Sequence, residues 1–144
     1  MSLTVNRHLA DPAMDDIDHA LGRPLDPMGE TYRNRYAVDA DDAVRISKMR
    51  KDPHWIGPSA ARGVVMFSVS RAGREVLSSY LRRVGDPHQE FEVSAYGYRS
   101  SVVATSRSKA RYEYWLVFSD ARPDLTFRDF CRAATVRLVR RAPA

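Results

Sequence analysis

Val64-Val65-Met66-Phe67-Ser68-Val69-Ser70, running on through Arg71 to Val84 and then Gly85-Asp86-Pro87, is the stretch whose reading decides the fold. The apolar, β-branched run ending at Val69 reads as a strand. Ser70 is a good N-cap, and Val76, Leu77, Tyr80, Leu81 and Val84 recur at three and four, so the strand passes directly into an amphipathic helix. Gly85-Asp86-Pro87 stops that helix and marks a domain boundary.

Toward the N-terminus, His54-Trp55-Ile56 supplies a partner strand, joined to the first by a long Gly57 to Gly63 loop that holds Pro58 and Arg62. Asp39 or Asp41 caps a helix through about Lys51, with Ala43, Val44, Ile46 and Met49 as its buried positions and Pro53 helping to stop it. Thr31 to Val38 is aromatic and arginine-rich without a clean period, and Arg23 to Gly29, with two prolines and a glycine, is a structured turn. Asp15 to Leu21 reads as a short helix ending at Gly22, its acids placed to complement the helix dipole. Residues 1–12 show no sustained period and read as a flexible arm.

Beyond the boundary, Glu90 to Ala95 and Tyr98 to Thr105 are strands around Tyr96-Gly97, followed by a helix from Ser106 to Ala121 that Arg122-Pro123-Asp124 breaks. Asp124 or Thr126 caps a shorter helix through about Ala133. Thr135 to Arg140 alternates as a last strand, with Val136, Leu138 and Arg140 on one side and Arg137, Val139 and Arg141 on the other. The expected fold class is α+β: an α/β module over 13–85 and a ββααβ module over 86–144.

The chain of 144 residues is long enough to bury a core without staples. Its formal charge of +5 is uneven: residues 1–60 carry 8 Lys and Arg against 10 acids, residues 61–144 carry 15 against 8. Twenty of the 23 cations are arginine, a bias that a GC-rich genome produces as readily as selection for bidentate contacts does. A basic balance points to an acidic partner, nucleic acid above all. One cysteine, Cys131, rules out an internal disulfide framework and fits a reducing compartment. With no apolar run of membrane-spanning length and no leader pattern at the start, a cytoplasmic protein is expected.

Catalytic and metal signatures are missing. His8, His19, His54 and His88 lie far apart, Cys131 sits on a short amphipathic stretch, and the acid pairs Asp15-Asp16 and Asp41-Asp42 are explained by capping. No enzyme activity, cofactor or metal is therefore expected. The candidate sites are instead cationic. Ser106-Arg107-Ser108-Lys109-Ala110-Arg111 puts three cations in the first turn of a helix, where an anion such as a phosphate fits the exposed N–H groups. Arg45, Lys48 and Lys51, at i, i+3 and i+6, form one basic helix face opposite the apolar one, and Arg62 in the hairpin loop adds a further phosphate contact. Tyr96 and Tyr98 either stack bases on an open sheet or make ordinary cross-strand contacts. Tyr112, Tyr114, Trp115 and Phe118, with Ala110, Leu116 and Val117, wrap their helix nearly all round, which implies burial or a covering partner.

Phe67-Ser68-Val69-Ser70-Arg71-Ala72-Gly73-Arg74-Glu75-Val76-Leu77, with a hairpin before it and a helix after it, resembles the wing-to-last-helix junction of winged-helix proteins. That resemblance implies a nucleic-acid-binding module over about 14–84, with the helix at 41–51 entering a major groove and Arg62 reaching a phosphate or the minor groove. The same block, taken with His19-Ala20-Leu21-Gly22, Tyr32-Arg33-Asn34-Arg35-Tyr36 and Ser106 to Tyr112, is similar to small accessory proteins of bacteriophages and prophages in GC-rich bacteria. This implies a regulatory or accessory role, either DNA binding or, as the alternative, inhibition of a host defence system of the CRISPR kind by binding an acidic or nucleic-acid-handling host protein.

Overall fold

The computed structural model describes residues 3–140 and is an α+β protein. Its described residues form five helices and two antiparallel three-stranded sheets. They divide into two compact units, one ending at Asp86 and the other beginning at Pro87.

The first unit contains α1 (Pro12–Ala20), β1 (Tyr36–Asp39), α2 (Ala43–Lys51), β2 (Trp55–Ala61), β3 (Val64–Val69) and α3 (Arg71–Val84). Its sheet has the order β1-β3-β2, with Tyr36 opposite Phe67 and Val38 opposite Val65. β1 lies in the stretch that showed no period; four residues at a sheet edge are too few to display one. Ser70 caps α3 by accepting from the Gly73 N–H, and Gly85, with φ of 69°, ends it. Met14, Ile17 and Leu21 of the α1 region bury against Leu77, Tyr80 and Leu81 of α3 and against Val69. Gly73 is needed where α3 meets the start of the hairpin: a Cβ there would lie 2.5 Å from the His54 carbonyl oxygen.

Several boundaries differ from expectation. α1 starts three residues earlier, because Asp11 accepts from the Ala13 and Met14 N–H groups and Pro12 occupies the first turn. Asp42, rather than Asp39 or Asp41, caps α2. The expected long loop 57–63 is strand: β2 runs to Ala61 across a bulge between Ile56 and Ser59, leaving Arg62-Gly63 as a two-residue turn. In α2 only Met49 is buried; Ile46 is half-buried and Val44 is 83% exposed. The helix rests on its sheet along one thin line.

The expected flexible arm is also corrected over residues 3–11; Met1 and Ser2 lie outside the described residues. Val5 donates its N–H to the Arg23 carbonyl at 2.7 Å, and Leu25 donates to that of Leu3 at 2.9 Å. Arg7 then enters the unit. Its guanidinium holds Asp18 through two bonds of 2.6 and 3.0 Å, reaches Asp86 at 2.9 Å and donates to the Pro24 carbonyl at 2.8 Å. Asp18 is fully buried and also meets Arg23 at 3.2 Å, while Arg23 bonds Asp15 at 2.7 Å. Paired charges of this kind are what a buried carboxylate requires.

The second unit runs β4 (Gln89–Ala95), β5 (Tyr98–Ala104), α4 (Arg107–Ala121), α5 (Phe127–Ala133) and β6 (Thr135–Leu138), with sheet order β5-β4-β6. Tyr96 and Gly97 both have positive φ, 52° and 82°, as a two-residue hairpin turn demands. Phe91, Val93 and Ala95 face Ala110 and Tyr114 of α4 and Phe130 of α5. Thr126, rather than Asp124, caps α5. β6 stops at Leu138, and Arg141 lies outside the described residues.

Candidate nucleic-acid interface

The basic face of α2 is exposed because so little of the helix is buried. Lys48, Arg50 and Lys51 cluster in its last turn, where cations are favoured by the helix dipole, and none has an ion partner among the described residues. Arg50 and Lys51 line a shallow concavity with Ala40, Ala43, Ile46 and Ser47. Arg62, at the exposed tip of the β2–β3 hairpin, stands near the opposite end of the helix, since Gly63 bonds back to Ala40.

Arg45 does not belong with them. Its guanidinium lies 5.1 Å from the Tyr36 ring centroid, donates to the Tyr36 hydroxyl and meets Asp16 at 3.3 Å. Tyr36 in turn donates to Asp16 at 3.2 Å. Burial, then the nearby Asp16 charge, pushes the Tyr36 phenol above its ordinary pKa, with Arg45 opposing. The Arg45 charge is thus tied to Tyr36 and Asp16 at the surface, with its side chain 43% exposed. Acids gather at the other end of α2, where Asp39, Asp41 and Asp42 precede it.

In the second unit the three cations of α4 do not converge. Ser106 accepts from the Lys109 N–H at 3.1 Å, so one N-terminal donor is already satisfied. Arg107 and Lys109 are exposed on different sides of the helix, while Arg111 is half-buried with its Nε enclosed and unpartnered. A single anion does not reach all three.

Tyr96 and Tyr98 stand at the turn end of the hairpin, 40% and 67% exposed, with part of each ring packed on aromatic neighbours. Tyr98 pairs with the buried Ala95, so it lies on the side covered by the helices, its ring 6.2 Å from that of Phe118. Tyr96 packs 5.6 Å from Phe118 and 6.3 Å from Phe130, with the Arg122 guanidinium 5.2 Å from its centroid. The open face of this sheet carries Glu92 instead, paired with Arg137 at 3.2 Å. No family model, curated protein or solved structure matches this chain.

One exposed cation beside β1 was not singled out by the sequence reading. Arg35, next to β1, lines a concavity with His19, Arg33, Tyr36, Ala37 and Met66. It lies in the stretch without a period, so no spacing signal pointed to it. Among the described residues no cluster of three or more His, Cys, Asp or Glu side chains is arranged to hold a metal.

Proposed function

We propose that this chain binds duplex nucleic acid through its first unit, as an accessory protein of a phage or prophage with no reaction of its own. The observation that carries the reading is α2: a helix anchored by Met49 alone among buried side chains, with Lys48, Arg50 and Lys51 facing water and without acidic partners among the described residues. Such a helix is free to approach phosphates from its outer side. The winged-helix resemblance supports the same surface, with the β2–β3 hairpin as the wing, Arg62 at its tip and α2 as the groove-facing helix. One departure matters: β1 stands between α1 and α2, so α2 meets the duplex without a preceding partner helix. The second unit, read as a ββααβ module, contributes no phosphate site to this proposal, because its three helix-start cations diverge.

A mobility-shift series in rising salt tests the proposal. Four phosphate contacts, from Lys48, Arg50, Lys51 and Arg62, imply a log–log salt slope of about −3.6 and a loss of affinity of about 150-fold between 50 and 200 mM salt. Changing Lys48, Arg50 and Lys51 together to Gln should leave the fold intact and a slope of about −0.9. No complex at low salt, or a nuclease-resistant stoichiometric protein partner that competes for the α2 face, removes it.

A further inference from the structure

β1 is an edge strand of its sheet, and its outer edge is only partly used. Val69 donates its N–H to the Asn34 side chain at 2.6 Å, and Ala40 donates to the Gly63 carbonyl at 3.3 Å. Alternation between those two points makes Tyr36 and Val38 the residues of β1 that bond Phe67 and Val65. Ala37, Asp39 and the preceding Arg35 therefore turn their N–H and C=O groups away from the sheet. Two of these groups are satisfied at once: Arg35 donates to the Ala20 carbonyl at 3.0 Å, and the Asp39 carbonyl accepts from the Asp42 N–H at 3.0 Å. The Ala37 N–H and C=O, the Asp39 N–H and the Arg35 C=O are left without a partner among the described residues. Ala37 and Asp39 are exposed, and unpaired groups on a strand edge are a template for another strand.

We infer that this edge pairs with the same edge of a second copy of the chain, antiparallel, about a two-fold axis at Ala37. The backbone selects that occupant first. In a two-fold contact residue i meets j and j meets i, so the Ala37 N–H and C=O bond those of the partner's Ala37, and each Asp39 N–H bonds the carbonyl of the partner's Arg35. The ladder groups that such a pair would leave over are the Arg35 N–H and the Asp39 carbonyl, which are the two already satisfied within the chain. Charge selects the same occupant. Arg33 and Arg35 precede Ala37 by four and two positions, and Asp39 and Asp41 follow it by two and four. Arg35 and Asp39 are both exposed, and neither has an ion partner among the described residues. The two-fold sets Arg35 opposite the partner's Asp39 at both ends, at a Cα separation of about 5.5 Å. Between them Tyr36 falls opposite the partner's Val38, so no like charges oppose one another along the strand. A parallel pair in register, or an axis at Arg35 or at Asp39, would set like charge on like charge.

Sedimentation equilibrium of the full chain, freed of nucleic acid, tests this independently of what α2 binds. The expected result is a reversible monomer–dimer equilibrium. Ala37→Pro removes the central N–H, which the chain's own sheet does not use, and should shift the protein to monomer while keeping the fold, as proline is tolerated on an outward-facing strand edge. Asp39→Arg alone opposes two pairs of arginines and should weaken the dimer at least about tenfold. Adding Arg35→Asp to it restores complementarity and should return the constant to within about threefold of the original. Both charged positions are exposed, so the swap stays informative even if Ala37→Pro disturbs folding; circular dichroism checks each variant. A chain still monomeric at roughly 0.5 mM overturns the inference, whether or not a foreign strand can be made to pair there. So does a folded Ala37→Pro variant that associates as before, or a charge swap that fails to rescue, because the contact would then lack this edge or this register.

Discussion

Arg7 is the side chain whose loss should cost this protein most. Its guanidinium is 5% exposed and makes four hydrogen bonds, two of them to a carboxylate with no exposure at all. In Arg7→Met the alkyl stem is largely replaced, but Asp18 keeps only the 3.2 Å contact with Arg23, and Asp86 loses its 2.9 Å contact. Removing one partner of a buried pair costs about 3–5 kcal/mol, because the remaining charge stays desolvated. That is a large share of the roughly 5–15 kcal/mol that holds a domain together. At about 2–4 °C per kcal/mol for a chain of this size, the melting temperature should fall by roughly 6–20 °C. Urea denaturation followed by circular dichroism gives the free-energy difference from the midpoint at constant slope. The control is Arg7→Met with Asp18→Leu: replacing both partners by apolar groups should recover most of the loss, since a buried ion pair is worth little against a hydrophobic pair. The docked segment should also become sensitive to protease in the single variant and less so in the double. A single-variant loss below about 1 kcal/mol would refute the reasoning, as it would mean that Asp18 finds water or another cation at no cost.

Acid should act partly through Asp15. The hydrogen bond from Arg23 holds its carboxyl below the ordinary aspartate value of 3.8, helped by the Leu9 N–H and the charges of Arg23 and His8, against burial. The folded pKa is the lower one, so this stabilisation is complete above the unfolded pKa and is lost as pH falls through the folded value; Asp15→Asn should flatten the stability curve below pH 3.8, and an unchanged curve would count against the pairing. Gly73→Ala should destabilise by about 1–3 kcal/mol despite alanine's better helix propensity, because its Cβ would meet the His54 carbonyl at 2.5 Å and Val69 at 2.6 Å. Val44→Glu, at an exposed site, should change stability by no more than about 0.5 kcal/mol in the same urea assay; a larger loss would mean that α2 is buried more deeply than its single anchor implies.

Elements with local signals were legible. β3, the Ser70 cap, α3 and the Gly85 stop all follow from residues adjacent in the chain, and β4 and β5 from their alternation around a tight turn. What escaped depended on distance. Arg7 meets Asp18 and Asp86, 11 and 79 positions away, and a lone arginine in an aperiodic segment carries no sign of either. The positions of Lys48, Lys51 and Arg62 on outer surfaces followed from helix spacing and turn composition, whereas the capture of Arg45 by Tyr36 and Asp16 needed the sheet to be assembled first. The contact of Tyr98 with Phe118 escaped for a related reason: which side of a sheet a residue takes is decided by pairing register, which sets Tyr98 opposite the buried Ala95 while leaving its own side chain 67% exposed.

The arginine count overstates the charge offered to a partner. Residues 1–86 carry 13 Arg and Lys against 12 acids, a net +1. Arg7, Arg23, Arg33, Arg45 and Arg74 all donate to carboxylates, carbonyls or hydroxyls within the unit, contacts that suit a planar fork with fixed donors. The chain's three lysines, Lys48, Lys51 and Lys109, are all exposed and without ion partners among the described residues. A flexible point charge suits a phosphate whose exact position is not built into the fold. The salt dependence of binding should therefore follow the few free cations of α2 and the hairpin tip and not the basicity of the whole chain. A slope near −3.6 fits that partition; a slope as steep as about −9 would require roughly ten phosphate contacts, which the first unit supplies only by releasing arginines from their internal partners. Arg74→Gln discriminates between the two. Its guanidinium bonds Pro27 and Gly29 carbonyls and the Thr31 hydroxyl, so the change should lower thermal stability while leaving the slope untouched, and a slope reduced by about one unit would show that an internally bound arginine reaches the nucleic acid after all.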